Sequence, residues 1–238
     1  MIKSILPVEY SVVSSASLQQ ELSLIYEFPS GAKVSFLHHG IHDTYLVSNG
    51  SIHLILRIYR TGWKSLQNVK AELDVLLDLK QKSIDVSVPY KDREGFYVQE
   101  MSFPEGVRYA VVFMYAPGIK LKQLNEETAE LFGKKLAALH LATNEMNHEG
   151  LQRNYYLPNV FDSAMENISS VFTDLKIIEA LRLLYFKMDS IFNSIDTNHL
   201  KIGICHGDPH YENAHFKIES GKVVFYDFIV NIDTVFLF

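Results

Sequence analysis

Near its end, the chain carries polar side chains whose types suit proton transfer and cation binding. His206 lies two residues before Asp208, Asn213 follows five residues after that aspartate, and Asp227 ends an apolar segment beyond a hairpin signal. A carboxylate can accept the proton of an attacking hydroxyl. Carboxylate and amide oxygens are the ligands that a hard cation such as Mg²⁺ prefers. These residue types could therefore activate a hydroxyl and hold a metal ion.

The spacing H-x-D-x-x-x-x-N with a later aspartate is the one at which protein kinases hold their base and metal ligands. The segment 206–213, HGDPHYEN, followed by Asp227-Phe228, resembles the aminoglycoside phosphotransferase family. These small-molecule kinases share the protein-kinase architecture and include choline kinase-like and homoserine kinase-like members. The resemblance implies that Asp208 is the catalytic residue, which orients and deprotonates the acceptor hydroxyl. It implies that Asn213 and Asp227 are the ligands of Mg²⁺.

The same resemblance implies the reaction and its cofactors. We expect an ATP-dependent phosphotransferase that moves the γ-phosphate to a hydroxyl of a small molecule, with Mg²⁺ as the metal and GTP as the alternative nucleotide. Aminoglycosides, homoserine, choline-like alcohols and protein hydroxyls are all served by similar loops, so the substrate stays open.

The sequence of the first half predicts an antiparallel sheet with one long helix and one short helix. Apolar segments at 34–37, 44–47 and 52–59 predict three strands, and Asn49-Gly50 is a strong hairpin signal between the last two. Helical spacing of apolar residues then predicts a helix over 65–82, followed by strands at 95–101 and 109–114. Another short helix is expected around 17–26. The expected fold class is α+β and two-lobed, protein-kinase-like, with a nucleotide-binding lobe at 1–115 and a mainly helical catalytic lobe at 116–238.

The resemblance also places the cofactor-binding residues in this half. Gly40 would let a loop lie over the phosphates, although an ordinary β-turn fits equally well. Arg57, a charge inside an apolar strand, would contact the phosphates and pair with Glu72 of the following helix, unless that glutamate lies at the surface. The carbonyl of Met114 and the amide of Ala116 would face the nucleotide base.

The second half predicts two long helices. Asn125 caps the first, which runs to about residue 143. Residues 144–172 read as irregular and aromatic. Asp174 caps the second helix, whose apolar stripe predicts core or a helix-bundle seam. The stripe comprises Ile177, Leu181, Leu184, Met188, Ile191 and Ile195.

The tail departs from the family pattern, because no glycine and no further helices follow Asp227-Phe228 and the last residues form an apolar end. The resemblance therefore implies an incomplete C-terminal lobe. A truncated or frame-shifted gene product, helices supplied by a partner, or a nucleotide-binding module without turnover would each explain it. Exposed apolar surface over such a lobe predicts self-association. The alternative function is a catalytically impaired nucleotide-binding or interaction protein.

Composition limits the partners and the compartment. A net charge of −6 argues against nucleic acid as the main partner, because phosphate binding needs basic surface. The single Cys205 fits a reducing compartment, and no segment is long enough for a signal peptide or a membrane span, which predicts a cytoplasmic protein without a membrane partner.

Another class of enzyme would use the same histidines for a transition metal. His206, Asp208, His210 and His215 could ligate zinc for a hydrolase. That reading leaves Asn213, Arg57 and Glu72 unexplained, so the kinase interpretation is preferred.

Overall fold

A five-stranded antiparallel sheet forms the first half of the chain in a computed structural model, which describes residues 10–144, 146, 157–194 and 201–236. The sheet has the order β1-β2-β3-β5-β4. Its strands are β1 (Lys33–His39), β2 (Asp43–Ser48), β3 (His53–Ile58), β4 (Val98–Phe103) and β5 (Gly106–Met114). Strand β5 begins three residues before its predicted start, and β4 begins three residues after its own.

The two faces of the sheet have different partners. Along β3, Leu54 and Leu56 are buried with Leu18 and Leu22 of α1 (Ser15–Ile25). Because side chains alternate along a strand, Arg57 lies on the opposite face. That face meets α2 (Leu66–Gln81) and the second half of the chain. The alternation therefore directs the charged residue of β3 towards the interior between the halves.

Helix α2 begins at a capping box. The Ser65 side chain accepts a hydrogen bond from the Asn68 amide, and the Asn68 side chain accepts one from the Ser65 amide. Val69, Leu73 and Leu76 are buried in the core, and Glu72 is fully buried beside them. A carboxylate in this position costs free energy unless it is paired, so the helix requires a cation nearby.

Over the described residues of the second half, three α-helices combine with two small antiparallel sheets, one of β6 and β9 and one of β7 and β8. An Asn125–Thr128 capping box starts α3, as the sequence predicted. These elements are α3 (Glu126–Thr143), α4 (Leu157–Val171), α5 (Leu175–Ser194), β6 (Lys201–Cys205), β7 (Ala214–Lys217), β8 (Lys222–Phe225) and β9 (Asn231–Phe236).

One hydrophobic cluster runs across both halves, since Phe113 of β5 is buried together with Leu139, Phe216 and Phe225. At the crossing, Gly118 has φ +124° and a Cβ there would lie 2.7 Å from the carbonyl oxygen of Phe216. Only glycine allows this approach. The division into lobes at 1–115 and 116–238 stays a prediction.

Two predictions for the second half are wrong. The segment 144–172 was expected to be irregular, yet α4 occupies most of its described part. Phe161, Met165 and Ile168 recur there at helical spacing, and Met165 is buried. The stripe of α5 was expected to be buried, but Leu184 and Ile191 are each 53% exposed. The periodicity predicts an amphipathic helix correctly, but it does not show which part of the protein packs against the apolar face. Ile195, the last residue of the predicted stripe, lies outside the described residues.

The described part of α5 begins as predicted, with Asp174 accepting a hydrogen bond from the Lys176 amide at 2.9 Å. Within the described ranges, no helix has both the length and the apolar character needed to cross a bilayer.

A buried ion pair links Asp43 of β2 to Arg108 of β5, the two strands on either side of β3. The Arg108 guanidinium donates to Asp43 Oδ2 at 2.8 Å, to the Tyr59 carbonyl at 2.8 Å and to the Ser11 carbonyl at 2.9 Å. Both charged side chains are 0% exposed. Glu105 Oε1 lies 3.6 Å from Arg108 Nη1, so Asp43 is the closer of the two carboxylates that compensate the buried Arg108.

We predict that Asp43→Ala lowers the free energy of unfolding by about 3–5 kcal/mol, because it leaves the buried Arg108 with only the more distant carboxylate of Glu105. Lys134→Met, which removes the exposed Glu130–Lys134 pair on α3, serves as the control and should cause no measurable change. Urea denaturation measures both. A small effect of Asp43→Ala, equal to that of the control, would contradict the assigned importance of the buried pair.

Candidate active site

A cavity of about 230 Å³ lies between the inner face of the sheet and the second half of the chain. Its walls include Leu37, Ile55 and Arg57 from the first half and His215 and Asp227 from the second. The alternation along β3 and β7 accounts for Arg57 and His215, because their neighbours in each strand face buried core. Both halves therefore contribute to one concave site.

His206 braces the loop that carries the predicted base. Its Nε2–H donates to the Tyr226 carbonyl at 2.9 Å, and its Nδ1 accepts from the Asp208 amide at 3.4 Å. Its own carbonyl accepts from the Ile229 amide at 2.9 Å. Burial lowers the pKa of His206 to about 4, so the ring is neutral at pH 7. His206 thus ties the 206–208 loop to the segment that contains Asp227.

Asn213 holds the Asp208 carboxylate. The Asn213 amide nitrogen donates to Asp208 Oδ2 at 3.0 Å and to the Asp208 carbonyl at 3.1 Å. The backbone carbonyl of Asn213 accepts a hydrogen bond from the backbone amide of Tyr226 at 3.0 Å. The side chain of Asp208 is 48% exposed, and His210 Nε2 lies 3.3 Å from the same Oδ2. No described residue is seen to hydrogen-bond to Asp208 Oδ1 or Asn213 Oδ1, so these two oxygens are left for ligands.

Arg57 joins the acidic residue of α2 to Asp227. Arg57 Nη1 lies 3.3 Å from Glu72 Oε1, which confirms the predicted ion pair, and Arg57 Nη2 lies 2.6 Å from Asp227 Oδ1. Burial by itself lowers the pKa of Arg57, but electrostatic attraction to Asp227, Tyr59 and Glu72 outweighs it and raises that pKa above the ordinary value. A permanent positive charge therefore lies beside a predicted metal ligand.

Asp227 adopts a backbone conformation that is unusual for a non-glycine residue, with φ +61°. Its side chain is 47% exposed and lines the cavity. Such strain is retained where the surroundings fix the chain, and it is frequent at ligand sites. Here the adjacent Tyr226 is held by Asn213 and His206.

The segment after β5 is fixed by side chains on both sides. Ser87 Oγ donates to the Met114 carbonyl at 2.5 Å, and His215 Nδ1–H donates to the Ala116 carbonyl at 2.6 Å. No described residue accepts a hydrogen bond from the Ala116 amide. Ala116 lines the cavity. The base-facing roles of Met114 and Ala116 stay predictions.

Gly40 lies in the turn between β1 and β2, where its amide donates to the His42 carbonyl at 3.1 Å. A Cβ there would find no atom closer than 3.7 Å, so the turn does not require glycine. Leu37 and His38 line the cavity from this hairpin. The phosphate-contacting role of Gly40 stays a prediction.

Four residues were not assigned to the kinase site from the sequence: Tyr59, Lys64, Ser87 and His215, the last of which appeared only in the zinc alternative. His215 could have been found, because Ala214 and Phe216 on either side are apolar and place it on the opposite face of a short strand. Lys64 gives no such signal, since it precedes the cap of α2 and reaches Glu72 only when that helix forms.

The donor set fits a hard cation better than zinc. Asn213 and Asp227 offer oxygen atoms, as Mg²⁺ requires. Among the residues that the structure describes, no group of three or more His, Cys, Asp or Glu side chains is arranged to hold a metal ion. Of the residues in the zinc hypothesis, His206 and His215 each donate one ring N–H to a backbone carbonyl.

Comparison with known proteins gives consistent matches. The model of the family described as "Phosphotransferase enzyme family" matches residues 33–228. A protein of Synechocystis sp., sll1119, is 31% identical over 224 residues, which are 92% of this chain and 61% of that protein. The chain thus spans about three fifths of that relative's length.

Solved structures show the same architecture. The amicoumacin kinase hAmiN, in complex with AMP-PNP, Ca²⁺ and Ami, has a TM-score of 0.75 at 18% identity, covering 93% of this chain and 66% of its own. A microcompartment-associated aminopropanol kinase has a TM-score of 0.69 at 17% identity, covering 91% and 71%. The expected α+β, protein-kinase-like fold is confirmed.

The pKa of His206 predicts how stability depends on pH. In the unfolded chain the pKa is near 6.5, whereas in the folded protein it is about 4, so the unfolded state binds the proton more tightly. The contribution of neutral His206 is complete above pH 6.5 and is lost as the pH falls towards 4.

We therefore predict that the stability advantage of the wild type over His206→Gln narrows by about 3 kcal/mol between pH 7 and pH 4. Glutamine can keep the hydrogen bond to the Tyr226 carbonyl but does not titrate. Urea unfolding of both proteins across this range provides the measurement. A difference that is independent of pH would contradict the buried, neutral state of His206.

Proposed function

The chain belongs to the phosphotransferase enzyme family, and on this premise we propose that it transfers the γ-phosphate of ATP to a hydroxyl of a small molecule. The observation that supports this most is the continuous contact from Arg57 to Asp227 and, through Tyr226 and Asn213, to Asp208. It links a base and a cation-binding amide oxygen to Asp227 and Arg57, which line the cavity.

Asp208 is the proposed general base. Its Oδ2 is held by Asn213, which leaves Oδ1 for the hydroxyl of the acceptor. Asp208 takes the proton as the acceptor oxygen bonds to the γ-phosphorus and the bond to the β–γ bridging oxygen breaks, which releases ADP. Because little covalent chemistry falls to the protein, this fixed orientation supplies much of the rate.

Asn213 Oδ1 and the Asp227 carboxylate would hold Mg²⁺, which neutralises charge on the phosphates when it is bound. Once Asp227 is shared with a cation, Arg57 can direct its guanidinium to a phosphate oxygen, and paired N–H groups of this kind suit phosphate geometry. Arg57 is therefore the proposed phosphate ligand.

The nucleotide base would occupy the apolar part of the cavity, beside Ile55 and Phe113. There the free amide of Ala116 can donate to a ring nitrogen, and the Met114 carbonyl can accept from an exocyclic amine with its second lone pair. Because the Met114 carbonyl can only accept a hydrogen bond, it favours the exocyclic amine of adenine, so ATP is proposed over the alternative GTP.

The acceptor is proposed to be a small molecule that carries a hydroxyl. One similar structure is an aminopropanol kinase and another binds amicoumacin as Ami, so amine-bearing alcohols are the first compounds to assay. The net charge of −6 is compatible with such cations. The exposed apolar side of α5 supports the expected self-association.

We predict that Asp208→Asn lowers kcat about 10²–10⁴-fold while the Kd for MgATP changes less than about twofold, because only the proton acceptor is lost. A coupled assay of ADP release over a panel of hydroxyl compounds measures turnover, and calorimetry with a non-hydrolysable ATP analogue measures binding. Lys134→Met is the surface control.

Three outcomes are distinct. Turnover that survives Asp208→Asn contradicts the assigned base. Nucleotide binding by the wild type without turnover of any compound would favour the impaired nucleotide-binding protein. Absence of both would contradict the proposed function.

Arg57→Met is predicted to raise the Kd for MgATP about 10–100-fold, because a charge-assisted hydrogen bond to phosphate is lost. Arg57→Lys keeps the charge and should lose less. Calorimetry with MgATP and with adenosine distinguishes the cause: adenosine, which lacks phosphates, should bind all three proteins alike. Equal losses for adenosine would show that the variant damages the cavity instead.

A further inference from the structure

Glu72 has more partners than a simple ion pair supplies. Its Oε1 accepts from the Tyr59 hydroxyl at 2.8 Å and from Arg57 Nη1 at 3.3 Å. Its Oε2 accepts from Lys64 Nζ. Glu72 is 0% exposed and the side chain of Lys64 only 3%. A second buried cation is therefore paired with the acidic residue of α2.

The contacts of Arg57 are unequal. Its contact with Asp227 Oδ1 is 2.6 Å, against 3.3 Å to Glu72, although Glu72 is more deeply buried than Asp227. A buried carboxylate requires a compensating charge, and a carboxylate that depended on Arg57 alone would hold it closely. Lys64 supplies this charge from the other side.

The four charges thus form two pairs, Lys64 with Glu72 and Arg57 with Asp227. If Lys64 were absent, the movement of Arg57 towards a phosphate would leave Glu72 buried without a cation. That cost would be subtracted from the binding free energy of the nucleotide.

We propose that Lys64 is a positioning residue for nucleotide binding, which neutralises Glu72 so that the charge of Arg57 is free to act on the phosphates. Lys64 does not line the cavity, so its proposed effect on the nucleotide acts through Glu72 and Arg57. The inference rests on the proposed nucleotide site and adds that Glu72 remains paired when Arg57 turns to its ligand.

The test measures the Kd for MgATP in four proteins: the wild type, Lys64→Met, Glu72→Gln and the double variant. Lys64→Met should raise the Kd about tenfold, because Glu72 then retains Arg57. Adding Glu72→Gln removes this retention, so the double variant should bind more tightly than Lys64→Met. If Lys64 had only a structural role, the double variant would bind MgATP more weakly than Lys64→Met, because the two substitutions would each remove contacts and their effects would add.

Two further variants complete the comparison. Lys64→Arg keeps the cation and should bind MgATP within about threefold of the wild type. Lys64→Gln keeps a hydrogen-bond donor without the charge, should show the tenfold loss, and serves as the test if Lys64→Met does not fold. Lys82→Met is the control, because Lys82 pairs with Asp78 at the far end of α2.

The outcomes separate this inference from the proposed function. Failure of the wild type to bind MgATP overturns the nucleotide site, and the inference with it. Binding by the wild type and, with equal affinity, by folded Lys64→Met or Lys64→Gln overturns only the role of Lys64. A double variant weaker than Lys64→Met would also overturn it.

Discussion

The contact between the Arg57 guanidinium and the Asp227 carboxylate joins the two halves of the chain at the cavity. Arg57 can reach it because side chains alternate along β3, which directs the neighbouring Leu56 and Ile58 to the opposite, α1-covered face. Asp227 can reach it because a left-handed backbone conformation turns its side chain into the same space. Glu72 holds Arg57 from one side, and Asn213 and His206 hold Tyr226 beside Asp227, so these two charges are kept together.

Around this contact, polar groups of the site are held in place by hydrogen bonds to neighbouring side chains and backbone groups. His206 is neutral and buried, so it can link the 206–208 loop to the Tyr226 carbonyl without adding charge. His215 fixes the Ala116 carbonyl, and the close approach at Gly118 brings β7 against the same segment. Positions held in this way lose little conformational freedom on binding, which is the main way that a protein can promote phosphoryl transfer.

Much of the site could be predicted from local pattern. The spacing of Asp208 and Asn213 indicated the loop, and the isolated charge in an apolar strand indicated that Arg57 is paired, whereas the family resemblance supplied Glu72 as its partner. Contacts that depend on tertiary placement could not be predicted, as Lys64 shows, since nothing near it in sequence indicates burial. The exposure of α5 was missed for a related reason: helical periodicity defines an apolar face, but the partner that covers it is not encoded in that helix.

The central claim is that Asn213, Asp227 and Arg57 act on one nucleotide with its metal ion. A crystal structure with Mg²⁺ and a non-hydrolysable ATP analogue tests it most directly. The account predicts Mg²⁺ about 2.0–2.1 Å from Asn213 Oδ1 and from an Asp227 carboxylate oxygen, with the Arg57 guanidinium on a phosphate. A nucleotide bound elsewhere, or a metal ion without contact to either residue, would contradict it.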